Sequence, residues 1–251
     1  MFRHPHVVLA TFAPVPKNSI QDFILHQDDD FILLNKPSGI ATLEDRNDPQ
    51  NMLTLIRQVE PRAQVGHRLD KDTSGVLVVA RHPEAYRHIS MQFEKRLVTK
   101  TYHAVADGLH RLEQVLVERA ILVQKDATVR LAAGGKPAQT IFQTLETYRF
   151  HTLLECKPVT GRMHQIRVHA AFLQAPLSGD AQYGGKPIYL SQLKSGFKLK
   201  KQAEEEPLMK RMALHAYSIE FEHFNGNKAE FIAPYPKDFR ALVNQLQRQT
   251  R

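Results

Sequence analysis

The stretch "HRLDKDTSGVLVVAR", His67 to Arg81, is where the fold is decided. Its run Val76-Leu77-Val78-Val79 is short, β-branched and closed by Arg81 and Pro83, the pattern of a buried strand. The polar cluster before it, Arg68 to Gly75, therefore sits in a loop held by a rigid strand, where reactive side chains tend to be displayed. Arg68 and Asp70 stand two residues apart in that loop, so one strand fixes a cation and a carboxylate together.

Working outward, "DFILHQDDDFILLNKPSGI" reads as two short strands joined at Gln27 to Asp30 and closed by a Pro-Ser-Gly turn. "NMLTLIRQV" is a short helix. "PEAYRHISMQFEKR" is a longer one, with Pro83 in its first turn and Ile89 and Phe93 on one side. "VTKTYHAVADG" alternates as a strand, and residues 113–157 add further strands around the turn "AAGGKPAQ". "VTGRMHQIRVHAAFLQA" is the clearest helix: Thr160 is its expected N-cap, and Met163, Ile166, Ala170 and Leu173 form its apolar stripe. "MALHAYSIEFEH" and "KAEFIAPYP" form a closing hairpin, and "PKDFRALVNQLQR" a C-terminal helix. Strands mixed with a few helices, without a βαβ rhythm, imply an α+β fold with a mixed, mostly antiparallel sheet flanked by helices and loops. The tetrapeptide GGKP at 134–137 and 184–187 has no repeating surroundings and reads as two turns.

A chain of 251 residues can bury a sizeable core. Hydrophobic residues make up 42% and charged residues 24%, ordinary for a folded globular protein. One cysteine, Cys156, allows no intramolecular disulfide and no cysteine-based zinc site, which fits a reducing cytoplasm. The apolar stretch Val7 to Ala13 is short for a signal-peptide core, and no segment approaches the roughly 20 apolar residues of a membrane span. A net charge of +8 and a pI near 9.6 favour a polyanion partner, although many enzymes are mildly basic for solubility alone.

Several chemistries fail on pattern. "DKDTSG" resembles the D-x-D-x-T loop of aspartate-based phosphotransferases, but there the apolar strand precedes the loop and here it follows. An EF-hand lacks its glycine and distal glutamate, Ser74 lies in no G-x-S-x-G elbow, and neither GGKP has the P-loop frame. Of thirteen histidines, His164 and His169 are five apart and share no helix face, so no metal is expected. Arg162, His164, Gln165 and Arg167 crowd the start of their helix. They are a solvated basic face or, since Arg167 near the apolar stripe needs a counter-charge, part of a site in which Asp70 is the expected partner. Tyr102 belongs to the core or faces a pocket where its ring could stack on a base.

"FILLNKPSGI", "HRLDKDTSG" with its strand, "KTYHA", "GRMHQIRVH" and "LHAYSIEF…APYP" occur in an order that resembles the RluA-type RNA pseudouridine synthases, across roughly residues 22–240. The resemblance implies the pseudouridine-synthase fold and isomerisation of uridine in large-subunit rRNA or tRNA, without cofactor or metal. It makes Asp70 the catalytic carboxylate, Tyr102 the ring that stacks on the flipped uracil, and Arg167 the partner of Asp70. Arg68 would fill the vacated stack, with Arg162 and His164 also on the RNA. Thr73 and Ser74 would brace the loop and Gly75 allow the turn into the strand. Many relatives carry an N-terminal S4-type domain. Residues 1–19 are too short for one and read as an extension, leaving 20–251 as a catalytic domain expected to find RNA alone, as a monomer. A basic insertion around 186–211, with Lys198, Lys200, Lys201 and Arg211, is either an RNA-backbone track or a solvated loop. The competing function is a catalytically silent RNA-binding module of the same fold.

Overall fold

In the computed structural model, residues 19–44, 50–124, 128–194, 196–198 and 204–249 are described. In chain order the strands are β1 (Ile24–Gln27), β2 (Phe31–Lys36), β3 (Gln64–Val65), β4 (Ser74–Ala80), β5 (Thr99–Asp107), β6 (Val115–Glu118), β7 (Ile121–Val123), β8 (Val129–Leu131), β9 (Gln139–Thr147), β10 (His151–Pro158), β11 (Leu214–Glu222) and β12 (Lys228–Ile232). The α-helices are α1 (Met52–Arg57), α2 (Pro83–Glu94), α3 (Gln165–Phe172), α4 (Leu190–Leu193) and α5 (Lys237–Arg248).

The quoted run is β4, buried along all of its length. Its alternate residues feed two cores. Val76 and Val78 pack with Phe31, Leu33, Ile89 and Phe221, while Leu77 and Val79 pack with Ile32, Leu34, Met52 and Ile56. Both faces are covered, so the strand is continuously apolar instead of alternating. Burying each such side chain contributes about 1.5–3 kcal/mol.

The large sheet runs β1-β2-β4-β11-β5-β10-β9-β6, with β12 beside β11 and β3 beside β4; β7 and β8 form a separate pair. Its ladders are antiparallel except β4 with β11, which is parallel and short, matching Ser74 to His215 and Gly75 to Ala216. The expected α+β architecture with a mixed, mostly antiparallel sheet is thus the observed one.

Gly75 makes the parallel contact feasible. Its φ is +122°, and a Cβ there would lie 2.1 Å from the Ala216 carbonyl oxygen. Behind this contact, His215 Nε2 lies 3.0 Å from the Ala233 carbonyl, which can only accept. The ring proton is therefore on Nε2, and Nδ1 accepts from Ser74 Oγ at 3.0 Å.

Two expectations need correction. Thr160 does not cap α3. The cap position is His164, held left-handed at φ 52°, so Met163 precedes the helix and only Ile166, Ala170 and Leu173 of the stripe belong to the packing on one core. Thr160 Oγ1 instead accepts from Gln139 N (3.0 Å) and donates to Gln165 Oε1 (2.7 Å), tying the chain before the helix to β9. The segment taken as an insertion is also partly core: Ile188, Leu193 and Met209 pack with Phe239 and Leu242 of α5. Lys200 and Lys201, with residues 1–18, lie outside the described residues.

Gly75→Ala is expected to destabilise the fold by about 3 kcal/mol or more, since added volume meets backbone at a strained φ. A drop in urea midpoint at unchanged slope would show this. Acid provides a second test. Burial pushes His215 down to about 4, so the unfolded chain binds its proton near 6.5 while the folded one does not. Stability present above about pH 6.5 is then lost as pH falls toward about 4. The loss is on the order of 2–3 kcal/mol. His215→Phe should flatten that part of the urea stability profile; an unchanged profile would show that His215 does not titrate differently on folding.

Candidate active site

The loop that leaves β3 and enters β4 is anchored on both sides of Asp70. Before it, Thr42 Oγ1 donates to the Leu69 carbonyl (2.8 Å) and accepts from Leu69 N (3.0 Å). After it, Lys36 Nζ donates to the carbonyls of Lys71 (3.0 Å), Pro37 (2.9 Å) and Ile40 (2.6 Å). Arg211 completes the hold. Its Nη1 donates to the Asp72 carbonyl at 3.0 Å and its Nη2 to Ser74 Oγ at 3.0 Å, while Asp238 at the start of α5 receives its Nε at 2.8 Å. Ser74 braces the loop as expected, accepting from Arg211 and donating to His215. Thr73 contributes through its backbone N–H, which donates to the Asp70 carbonyl at 3.1 Å.

Lys36 is fully buried. Burial and the nearby Arg211 charge push its ammonium down to about 7, and the charges of Asp72 and Asp70 work the other way. Three carbonyls satisfy its three donors, which is how a lysine survives in a core without an ion-pair partner.

Asp70 opens onto a cleft of about 620 Å³ lined from four directions. Its own loop supplies Arg68, Asp70 and Thr73; β5 supplies Lys100 and Tyr102; the end of α2 supplies Phe93 and Glu94; and residues 158–167 supply Arg162, His164 and Arg167. Gln165 fixes that last wall. Its Oε1 accepts from Arg162 N (3.0 Å) and its Nε2 donates to the Gln139 carbonyl (2.8 Å).

Arg167 departs from expectation. Its guanidinium grips Asp180 in a bidentate pair, Nε to Oδ2 at 2.6 Å and Nη2 to Oδ1 at 2.7 Å, with Gln182 Oε1 on Nη2 at 3.0 Å. Tyr183 lies under it, 4.8 Å from guanidinium carbon to ring centroid, and its hydroxyl is 2.9 Å from His164 Nδ1. Among the described residues Arg167 makes no ion pair with Asp70. Asp70 acts on it only as a more distant charge: burial opposes the guanidinium charge, and Asp180 chiefly, then Asp70, hold the arginine above its ordinary value. One buried carboxylate fills the Nε and Nη2 edge of the planar fork and so fixes the guanidinium in place.

Burial, and then the Asp70 charge, raise the Tyr102 phenol well above its ordinary range, so its hydroxyl stays protonated. Burial, then Lys100, pushes His67 down to about 3, and its Nε2 accepts from Val78 N at 3.1 Å. Arg68 is exposed at the rim. Of the expected site residues, Asp70, Tyr102, Arg167, Arg68, Arg162 and His164 share this cleft, whereas Lys198 is exposed and does not line it. Arg211, expected on RNA, is instead spent on the loop.

Residues 30–172 match the family model for RNA pseudouridylate synthase. The chain belongs to that family. It is 34% identical over 247 residues to ribosomal large subunit pseudouridine synthase C of Haemophilus influenzae, covering 93% of this chain and 73% of that protein. It is 36% identical over 236 residues to ribosomal large subunit pseudouridine synthase D of Haemophilus ducreyi, covering 89% and 70%. Human RNA Pseudouridylate Synthase Domain Containing 4 shares the fold at a TM-score of 0.68 with 23% identity, over 91% of this chain and 94% of that one. The chain is therefore an enzyme, an isomerase of uridine in RNA, as the motif order implied.

Sequence reasoning missed Asp180, Lys36 and Lys100. Asp180 had a signal in the need of Arg167 for a carboxylate, but the motif pointed to Asp70. Asp180→Ala is expected to cost about 3–5 kcal/mol by leaving a buried guanidinium unpaired. Asp70→Ala, which breaks no ion pair, should cost about 1 kcal/mol or less. Urea unfolding of both variants checks the order; the reverse order would restore the Arg167–Asp70 pair.

Proposed function

We propose that Asp70 carries the isomerisation of uridine to pseudouridine and that the RNA is large-subunit ribosomal RNA. The observation that carries this reading is a carboxylate held from both sides at the floor of a basic cleft, with no side chain among the described residues bonded to it. A carboxylate left free can act on ribose or base; one locked in a bidentate pair cannot. The choice of RNA is supported by the relatives, which are named for the ribosomal large subunit.

A uridine within a stem reaches such a floor only if extruded, at a cost of a few kcal/mol. Arg68 fills the vacated stack from the rim and grips the backbone. The ring of Tyr102 packs on the uracil beside Asp70. Arg167, immobilised by Asp180, supplies a fixed positive field across the cleft without neutralising Asp70, and Arg162 and His164 contact RNA on the same wall. Residues 20–251 act as the catalytic body, and Lys198, exposed at the edge of 186–211, meets phosphate. The chain acts as a monomer. Among the described residues no helix is long and apolar enough to cross a membrane, and we place the enzyme with ribosomal RNA in the cytoplasm.

Carbodiimide-blocked primer extension on unmodified large-subunit rRNA and on tRNA tests all of this. Wild type should give new stops on the rRNA. Asp70→Asn should lose at least about 10³-fold in rate, the scale seen when an acting group is removed, with RNA affinity retained. Stops on tRNA alone would overturn the choice of RNA. Equal stops with both proteins would remove Asp70 from the chemistry. No stops with wild type, tight binding intact, would favour the silent module.

A further inference from the structure

Lys100 is the enclosed cation of the cleft that the reading above leaves without work. It projects from β5 two residues before Tyr102, half-buried, and lines the same cleft as Asp70. Among the described residues its acceptor is the Thr160 carbonyl at 3.5 Å, the outer limit for a hydrogen bond. Two carboxylates line this cleft, Asp70 and Glu94, and neither forms an ion pair with it. The contrast with the other enclosed cations is sharp. Lys36 satisfies its donors with three carbonyls, Arg211 has Asp238, and Arg167 has Asp180. His67, the neighbouring base, is neutral and takes a backbone N–H. Beside that acceptor, Gly161 presents no side chain to the ammonium, a Cβ there lying 4.0 Å from Lys100 Nζ, and Lys100 itself faces the cleft.

A half-buried ammonium with one long acceptor is short of counter-charge in the free enzyme. Burial accordingly lowers it to about 8. In an RNA substrate at neutral pH the bases and riboses are uncharged, and the phosphodiesters are the anions. We propose that Lys100 is the phosphate anchor of the cleft, its ammonium taking a non-bridging oxygen of the phosphodiester flanking the extruded uridine. The anchor seats the backbone within the cleft while the uracil lies between Tyr102 and Asp70. It is a binding residue, distinct from the rim arginines because it engages phosphate where bulk salt screens less. This rests on the assignment of uridine isomerisation to this cleft.

Wild type, Lys100→Met and Lys100→Arg are compared on an unmodified large-subunit rRNA transcript, with KM and kcat measured from about 50 to about 300 mM KCl, across which the Debye length shrinks from above to below ~10 Å. Wild-type turnover must be seen first; its absence would sink the assignment of the reaction, not the anchor. Lys100→Met should raise KM about tenfold, a lost charge-assisted bond, and lower the slope of log KM against log salt by roughly 0.7–0.9, one phosphate contact. Lys100→Arg should restore the slope and most of the affinity. A change confined to kcat, or an unchanged KM and slope, would overturn the anchor. Thermal melting of both variants separates loss of fold, and if Lys100→Met does not fold, Lys100→Gln carries the same comparison.

Discussion

The close approach of β4 and β11 at Gly75 is the constraint from which the cleft follows. Without a Cβ, Gly75 lets the Ala216 backbone lie against it, and that contact brings β11 alongside the first residue of β4. His215 then reaches Ser74, and Arg211, just before β11, reaches both Ser74 and the Asp72 carbonyl. The loop bearing Asp70 is thereby fastened at residue 69 by Thr42, at 71 by Lys36, and at 72 and 74 by Arg211. Rotamer and loop freedom at Asp70 is spent on folding, before any RNA arrives, and preorganisation of that kind lowers the reorganisation needed in the reaction.

The electrostatics of the hold matter as much as its geometry. Lys36 and the Nη1 of Arg211 bond to carbonyl oxygens, which cannot be titrated and carry no net charge. Had these cations been paired with Asp70, they would have fixed the loop at the expense of its reactive group. The charge of Arg211 is met instead by Asp238 from α5, and the charge of Arg167 by Asp180. Two buried arginines are thus neutralised by carboxylates outside the reaction. Such pairs are weak as sources of stability but costly to break, so they hold the walls in one arrangement.

What the sequence disclosed follows from range. β4 was legible because its hydrophobic pattern is local and both faces demand the same residue types, and the antiparallel hairpins were legible from alternation and turn residues. The six cleft residues were legible because the motifs carrying them occur in a fixed order. Pairing choices were not legible. Arg167 advertises a need for a carboxylate, yet nothing local distinguishes Asp180, thirteen residues on in a glycine-flanked turn, from Asp70 in the motif. Lys36 ends an apolar strand and looks like a surface lysine at a turn; only the fold shows carbonyls converging on it. Thr160 has the composition of an N-cap, but Gln165 competes for its hydroxyl and the helix starts four residues later than such a cap would set it, behind a left-handed His164.

These arrangements divide the cleft by depth. At the rim, Arg68 and Arg96 are exposed and free to change rotamer, which suits groups that must meet RNA in whatever approach it makes and whose attraction salt can weaken. Toward the floor, Tyr102 and His67 stay uncharged near neutral pH, Arg167 is paired with Asp180, and Asp70 is the anionic group left unengaged. Flexible charges outside and Lys100 within the cleft, apart from the free carboxylate, give the nucleic acid a binding energy that is largely independent of the chemistry. Substitutions should therefore separate by role, changes at the rim arginines and Lys100 acting on affinity and its salt dependence, changes at Asp70 acting on turnover.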